Sequence, residues 1–176
     1  MPAPHVKSYH FAASGNIPNN PELPLLLYRQ VFATDSKLEK NFKEAFKQNN
    51  WGGSWVNGVF RYHHYHSTAH EVLGVIAGSA TLIFGGPEGK EVDVQAGDLV
   101  VLPAGTGHCR QSASPDFKVI GAYPNGQEDY DICTEEDDTA EKKKNIARVP
   151  LPVADPVAGA KGPLLKHWQP KQHREE

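Results

Sequence analysis

Short apolar segments separated by turn residues occupy the middle of this 176-residue chain. From Trp55 to Tyr123 these segments are bounded by glycine- and proline-containing turns, as at Gly85–Gly89 and at Gly97. Short strands with closely spaced turns are typical of antiparallel sandwiches, whereas parallel sheets need helical crossovers between their strands. The pattern therefore predicts an all-β domain, an antiparallel β-sandwich of jelly-roll type.

One or two short helices are predicted outside this sandwich. Ser36 and Glu39 have the spacing of a capping box, and the apolar residues that follow recur on one helical face. The spacing predicts an amphipathic helix over residues 35–48 and a further short helix near residues 139–147. Before the first of these helices, the apolar run Leu25–Phe32 predicts a strand.

The chain shows no internal repeat, so a single domain with three consecutive parts is predicted. Residues 1–54 would form an N-terminal arm, strand and helix that pack on the barrel. Residues 55–125 would form the barrel core. Residues 126–176 contain an acidic run, a lysine run and a proline-rich arm, with Trp168 as a candidate anchor.

Composition excludes several classes of protein. The net charge is −3, and lysine and arginine form no basic stripe with interleaved aromatic residues, so no nucleic-acid partner is predicted. The longest apolar run, around Leu99–Leu102, is too short to span a bilayer, and the N-terminal residues lack a secretory signal pattern. A cytoplasmic protein without a membrane role is expected, with Cys109 and Cys133 as free thiols rather than a disulfide.

A homodimer is predicted from the Leu25–Phe32 strand. Its continuous apolar character suggests burial against a sheet edge, which could belong to a second subunit. Light scattering that shows a monomer at micromolar concentration would contradict this prediction.

Four candidate metal ligands come from two segments of the predicted sandwich. Successive side chains on a strand point to opposite faces, so His64 and His66 project the same way. Glu71 has the opposite parity, which requires a corner or bulge between it and His66. His108 follows a turn that contains Pro103, Gly105 and Gly107. Three imidazoles and one carboxylate suit one divalent transition metal, such as iron, manganese, nickel or zinc, better than calcium or magnesium.

These positions resemble the two sequence motifs of the cupin superfamily. Nine residues match the motifs in register: Gly58, His64, His66, Glu71 and Gly78 in the first motif, and Gly97, Pro103, Gly105 and His108 in the second. Ser112 stands where the family often has asparagine. Segments 17–21, 62–67 and 162–164 are also similar to the small YjlB-like single-domain cupins. The resemblance implies a single-domain cupin jelly-roll barrel.

Strand alternation also indicates candidate substrate-binding residues. Phe60 and Tyr62 would share the face of His64, while Arg110 and Ser112 would share the face of His108. The Arg110 guanidinium could bind a substrate carboxylate or phosphate, although a structural ion pair at the barrel mouth is an alternative. His63 points away by parity and His70 lies in the predicted corner, so surface or packing roles are expected for both.

Two classes of function stay open. The leading hypothesis is a mononuclear-metal enzyme that acts on a small, anionic molecule, and the resemblance implies dioxygenase, decarboxylase or isomerase chemistry. The alternative is a non-catalytic module that binds a small ligand or a metal. No catalytic acid or base stands out in the sequence beside the candidate ligands.

Overall fold

Two antiparallel β-sheets face each other in the computed structural model, which describes residues 5–169. The elements in chain order are β1 (Val6–Tyr9), β2 (Leu25–Tyr28), α1 (Leu38–Gln48), β3 (Trp51–Asn57), β4 (His64–Tyr65), β5 (Glu71–Ala77), β6 (Ser79–Phe84), β7 (Lys90–Gln95), β8 (Leu99–Leu102), β9 (His108–Ala113), β10 (Lys118–Pro124), β11 (Cys133–Thr134), α2 (Thr139–Arg148) and α3 (Pro163–His167). The prediction of an antiparallel sandwich with short helices outside it is confirmed.

The first sheet has six strands in the order β1-β2-β8-β5-β10-β3, and the second has five in the order β11-β4-β9-β6-β7. The chain passes from one sheet to the other at a tight corner between β5 and β6. Gly78 has a φ of 69° there, and a Cβ at this position would lie 2.4 Å from the Ser114 Oγ. Only glycine fits such a corner without displacing its neighbours.

Both faces of the six-stranded sheet are buried at its centre. In β2, Leu25 and Leu27 belong to the core between the sheets, while Leu26 and Tyr28 belong to a second core on the opposite face, which also contains the buried residues of α1. The strands β5 and β8 divide their side chains between the two cores in the same way. This double burial explains why these strands are continuously apolar instead of alternating.

The apolar run that motivates the homodimer prediction is buried within one chain. Strand β2 pairs with β1 along one edge and with β8 along the other. The strand ends at Tyr28, and Gln30 has a φ of 48°, which extended backbone does not adopt. The homodimer therefore stays a prediction, but this strand no longer supports it.

The two predicted helices are present as α1 and α2. Leu38, Phe42 and Phe46 form the buried face of α1, as the sequence pattern indicates. The predicted capping box does not form, because α1 begins after Lys37 with no side-chain cap. Helix α2 has a regular N-cap, in which the Asp138 carboxylate accepts a hydrogen bond from the Ala140 amide at 3.0 Å.

The C-terminal arm is anchored to the first sheet by buried polar contacts. The fully buried Asp155 accepts a hydrogen bond from the Tyr28 hydroxyl at 2.5 Å, and the Leu164 amide also donates to its carboxylate at 3.1 Å. The Trp168 indole is 2% exposed and donates to the Pro24 carbonyl at 2.9 Å. Residues 170–176 of the predicted arm lie outside the described residues.

Two further expectations concern the membrane and the cysteines. Within residues 5–169, no helix combines the length and the apolar character that are needed to cross a membrane. Cys109 and Cys133 are both buried free thiols, which agrees with the prediction from composition.

Candidate metal centre

The four candidate metal ligands converge at one end of the sandwich. The ring nitrogens of His64, His66 and His108 that could bind a metal lie within 4.8 Å of one another. The Glu71 Oε1 is 3.3 Å from the Nε2 of His66 and 3.3 Å from the Nε2 of His108. All four side chains are at least nine-tenths buried.

Strand pairing brings these residues together from distant parts of the chain. His64 in β4 is the direct cross-strand partner of His108 in β9. Glu71 is the first residue of β5, in the other sheet, where it pairs with Leu102. The cluster therefore bridges the two sheets at their open end.

The corner between His66 and Glu71 is held in place by hydrogen bonds to the Asp131 carboxylate. The Ser67 amide donates to the Asp131 Oδ1 at 2.7 Å, the Ser67 hydroxyl makes a short hydrogen bond to Oδ2, and Lys142 lies 3.6 Å from the same carboxylate. Burial raises the pKa of Asp131, but the hydrogen bonds from Ser67 outweigh it, so the net shift is downward. The corner resets the strand alternation and turns Glu71 toward the histidines.

Each histidine in the cluster is oriented by a backbone carbonyl. The Nδ1 atoms of His64, His66 and His108 lie 3.1, 2.6 and 3.1 Å from the carbonyl oxygens of Tyr62, Asp131 and Thr106. A carbonyl oxygen can only accept, so the proton is on Nδ1 in the neutral ring and the Nε2 lone pair is free. A metal-binding histidine is commonly oriented in this way.

The contacts of the Glu71 carboxylate indicate whether the cluster fits a metal ion. The Tyr123 hydroxyl donates to Oε2 at 2.8 Å, whereas Oε1 is buried and contacts only the two imidazole Nε2 atoms at 3.3 Å, without a hydrogen bond of regular geometry to the described residues. A buried carboxylate beside imidazole nitrogens is costly unless a proton on His66 or a bound cation neutralises it. The residues present therefore fit a divalent transition metal.

The charges in the cluster are set by burial and by mutual contact. Burial and the neighbouring His108 lower the pKa of His64 to about 2. Burial alone would lower the pKa of His66, but the Glu71 carboxylate outweighs it and raises that pKa. Burial would raise the pKa of Glu71, but His66 and His108 together lower it. Glu71 is therefore a carboxylate at neutral pH, and an ion that binds here competes with a proton on His66.

An open cavity of about 470 Å³ leads to the cluster. This volume is in the usual range for small-molecule sites. Aromatic rings line its approach, since Phe60 stacks on Tyr62 at 4.9 Å and Tyr130 stacks on Tyr123 at 4.2 Å. Tyr130 also contacts the His66 ring edge-on at 4.8 Å.

Comparison with known proteins identifies the family. The family model described as Cupin matches residues 28–142. The chain belongs to the cupin family. A curated relative, the Uncharacterized protein YjlB of Bacillus subtilis (strain 168), is 40% identical over 163 residues, which cover 92% of this chain and 96% of YjlB. The similarity to the YjlB-like cupins that the sequence indicates is thus confirmed over most of the chain.

Similarity to solved structures is more distant. An acireductone dioxygenase from Bacillus anthracis, with cadmium ion in its active centre, is 18% identical and gives a TM-score of 0.38, with 51% of this cupin and 61% of that chain covered. RmlC from Streptococcus suis, in complex with dTDP-D-xylose, is 11% identical and gives a TM-score of 0.40. The match covers 70% of this chain and 71% of the RmlC chain.

The predicted substrate-binding residues are only partly brought together. Phe60 and Arg110 line the cavity. Tyr62 lies beside it, stacked on Phe60 and 48% exposed. Residues 58–63 are not in a strand, so the parity argument does not apply to Phe60 and Tyr62, although both lie next to His64.

Ser112 is placed away from the cavity, contrary to the sequence expectation. Thr81 pairs with Ser112, but the next residue, Leu82, pairs with Arg110, so Gln111 is the extra residue of a β-bulge. A bulge reverses the alternation of the strand beyond it. Ser112 is therefore exposed and lines a separate surface pocket with Arg29 and other residues.

The remaining histidines of this region are separate from the cluster. His70 is 1% exposed, accepts a hydrogen bond from the Ala104 amide at 2.9 Å, and packs against Trp168 at 4.8 Å. Burial lowers its pKa to about 3. These contacts favour the packing role expected for it. His63 is half-buried and does not belong to the histidine group.

Sequence reasoning missed three residues that shape the site. Tyr123 donates to Glu71, Asp131 orients His66 and the corner, and Tyr130 contacts His66. Tyr123 and Asp131 are separated from their partners by 52 and 65 residues, and His66 contacts the backbone carbonyl of Asp131 rather than its side chain. No local spacing signals such contacts.

Proposed function

We propose that this cupin binds one divalent transition metal through His64, His66, Glu71 and His108 and acts as a mononuclear-metal enzyme on a small anionic molecule. One observation carries the proposal. The three histidine rings and the buried Glu71 Oε1 converge at the inner end of an open cavity of about 470 Å³.

The metal, when bound, would supply a Lewis acid or a redox centre. The protein contributes the orientation of the ligands, because the three Nδ1 atoms face backbone carbonyls and Tyr123 fixes Glu71. It also contributes an anion site, since Arg110 lines the cavity and forms no ion pair within residues 5–169. Phe60 and Arg110 are therefore proposed to bind substrate, and dioxygenase, decarboxylase and isomerase chemistry remain the candidate reaction types.

A non-catalytic module that binds a small ligand or metal is the second candidate. One observation favours it: the titratable groups described around the cavity already have other roles. Glu71 and the histidines form the cluster, Tyr123 donates to Glu71, and Tyr130 stacks on Tyr123 and interacts with its hydroxyl. No separate acid or base is evident among the described lining residues.

Metal analysis followed by turnover assays separates the two candidates. We expect about one equivalent of transition metal per chain, as one four-ligand site implies. Dioxygen uptake and product analysis are then measured with small carboxylates, thiols and sugar phosphates, with the His108→Ala protein as the control. Turnover by the unaltered protein that is lost in the His108→Ala protein supports the enzyme hypothesis. Bound metal without turnover of any class supports the module.

The cytoplasmic location and the homodimer also remain proposals. Cell fractionation checks the first and light scattering checks the second. A homodimer could still use another part of the surface, because β3, at one end of the six-stranded sheet, pairs only with β10 within the described chain.

A further inference from the structure

Exposed apolar side chains are concentrated around the mouth of the cavity. Within residues 5–169, five large apolar side chains are markedly exposed, and four of them are at this mouth: Val56, Phe60 and Ile132 line the cavity, and Tyr62 stacks on Phe60. Their exposed fractions are between 43% and 50%. A group of exposed apolar residues around a cleft marks a site that buries an apolar partner.

The inner walls continue this apolar surface. Val59 and Leu73 are buried lining residues from the core between the sheets, and Trp55 is a half-buried one. The Tyr123 hydroxyl is already engaged, since it donates to Glu71 at 2.8 Å and accepts from the Trp55 indole at 2.7 Å. The walls therefore offer few free partners for the hydroxyl groups of a sugar or polyol.

One positive side chain interrupts the apolar surface. Arg110 is half-buried and is the only lysine or arginine among the described lining residues. Its amide donates to the Phe60 carbonyl at 2.8 Å, which holds the strand of Arg110 beside the stacked Phe60 and Tyr62 rings. A single unpaired guanidinium can bind one carboxylate through two parallel hydrogen bonds.

We propose that the ligand of this cavity is a monocarboxylate with an apolar, preferably aromatic body. The carboxylate binds to Arg110, and the body packs on the Phe60 and Tyr62 rings and on Ile132. This inference rests on the proposed function for the identity of the site and narrows its substrate class. A phosphorylated sugar does not fit, because it carries two negative charges and several hydroxyl groups against one cation and apolar walls.

Isothermal titration calorimetry of the metal-loaded 176-residue chain tests the proposal with four probes. Phenylacetate has both the charge and the ring, phenylacetamide lacks the charge, acetate lacks the ring, and glycerol phosphate is a dianion without an apolar body. We expect phenylacetate to bind at least roughly tenfold more tightly than each of the other three, as one charge-assisted hydrogen-bonded pair and one buried ring suggest.

Two arginine variants locate the charge contact. Arg110→Met should weaken phenylacetate binding by roughly tenfold or more while leaving the metal content unchanged. Arg61→Met removes the same charge from the neighbouring segment, but Arg61 is exposed and does not line the cavity, so affinity should change by less than about twofold. Phe60→Ala should weaken the binding of phenylacetate but not the binding of acetate.

The outcomes distinguish this inference from the proposed function. Equal binding of phenylacetate and phenylacetamide by the unaltered protein overturns the inference, as does tighter binding of glycerol phosphate or unchanged affinity in Arg110→Met. Each of these results leaves metal binding untouched. If the protein binds no metal even after reconstitution, the proposed function fails, and phenylacetate binding that depends on Arg110 still supports the inference.

Discussion

Replacing His66 or His108 by alanine is expected to abolish stable metal binding while the sandwich stays folded. Each change removes one of four converging ligand atoms, so the loss of affinity should exceed the roughly 10–100-fold effect of altering a residue that only supports a ligand. The fold should survive because the two large apolar cores are built from other side chains, while both rings line the open cavity. Elemental analysis after dialysis measures the metal, and circular dichroism measures the fold.

His63→Ala is the matched control for these two variants. His63 lies in the same segment but does not belong to the histidine group, so its replacement should leave the metal content nearly unchanged. Equal metal loss in all three variants would contradict the assignment of His66 and His108 as ligands. Retention of metal in the His108→Ala protein would contradict it as well.

Asp131→Ala is expected to lower the metal affinity by about 10–100-fold, the usual effect of losing a residue that orients a ligand. The variant keeps the backbone carbonyl that faces His66 but loses the carboxylate that fastens Ser67 and pairs with Lys142. His66 and Glu71, on either side of this corner, should then be less well aligned. A competition titration against a chelator measures the change.

Asp129→Ala is the control for this prediction. Asp129 is exposed and is two residues from Asp131, and its side chain makes no hydrogen bond to the described residues. Its replacement should leave the metal affinity within about twofold, since exposed charges act weakly at this range. Unchanged affinity in Asp131→Ala would show that the corner keeps its shape without the carboxylate.

The fold was largely predictable because its signals are local. Turn residues at close spacing predict short antiparallel strands, and the alternation rule predicts that His64 and His66 project the same way, although β4 itself ends at Tyr65. The need for a corner before Glu71 also follows from parity, and in the structure this corner is fastened by Asp131. These inferences need only the periodicity of a strand.

Features that depend on partners distant in sequence were not predictable. The bulge at Gln111, which turns Ser112 out of the cavity, is visible only in the pairing of β9 with β6. The apolar run of β2 suggested a partner subunit, but burial against another subunit and burial between two cores of the same chain leave the same sequence pattern. The role of Tyr123 depends on its distance from Glu71 across two paired strands.

The anchoring of the C-terminal arm has a consequence for protein synthesis. The Tyr28 hydroxyl meets its acceptor only after Asp155 has been made, 127 residues later, and the Pro24 carbonyl meets the Trp168 indole 144 residues later. A ribosome makes residues in order, so the outer face of β2 is completed only after these later residues have been made. Until then the outer face of this apolar strand lacks these contacts. Ribosome-bound chains that stop before Asp155 should therefore be substrates for chaperones that bind exposed apolar segments.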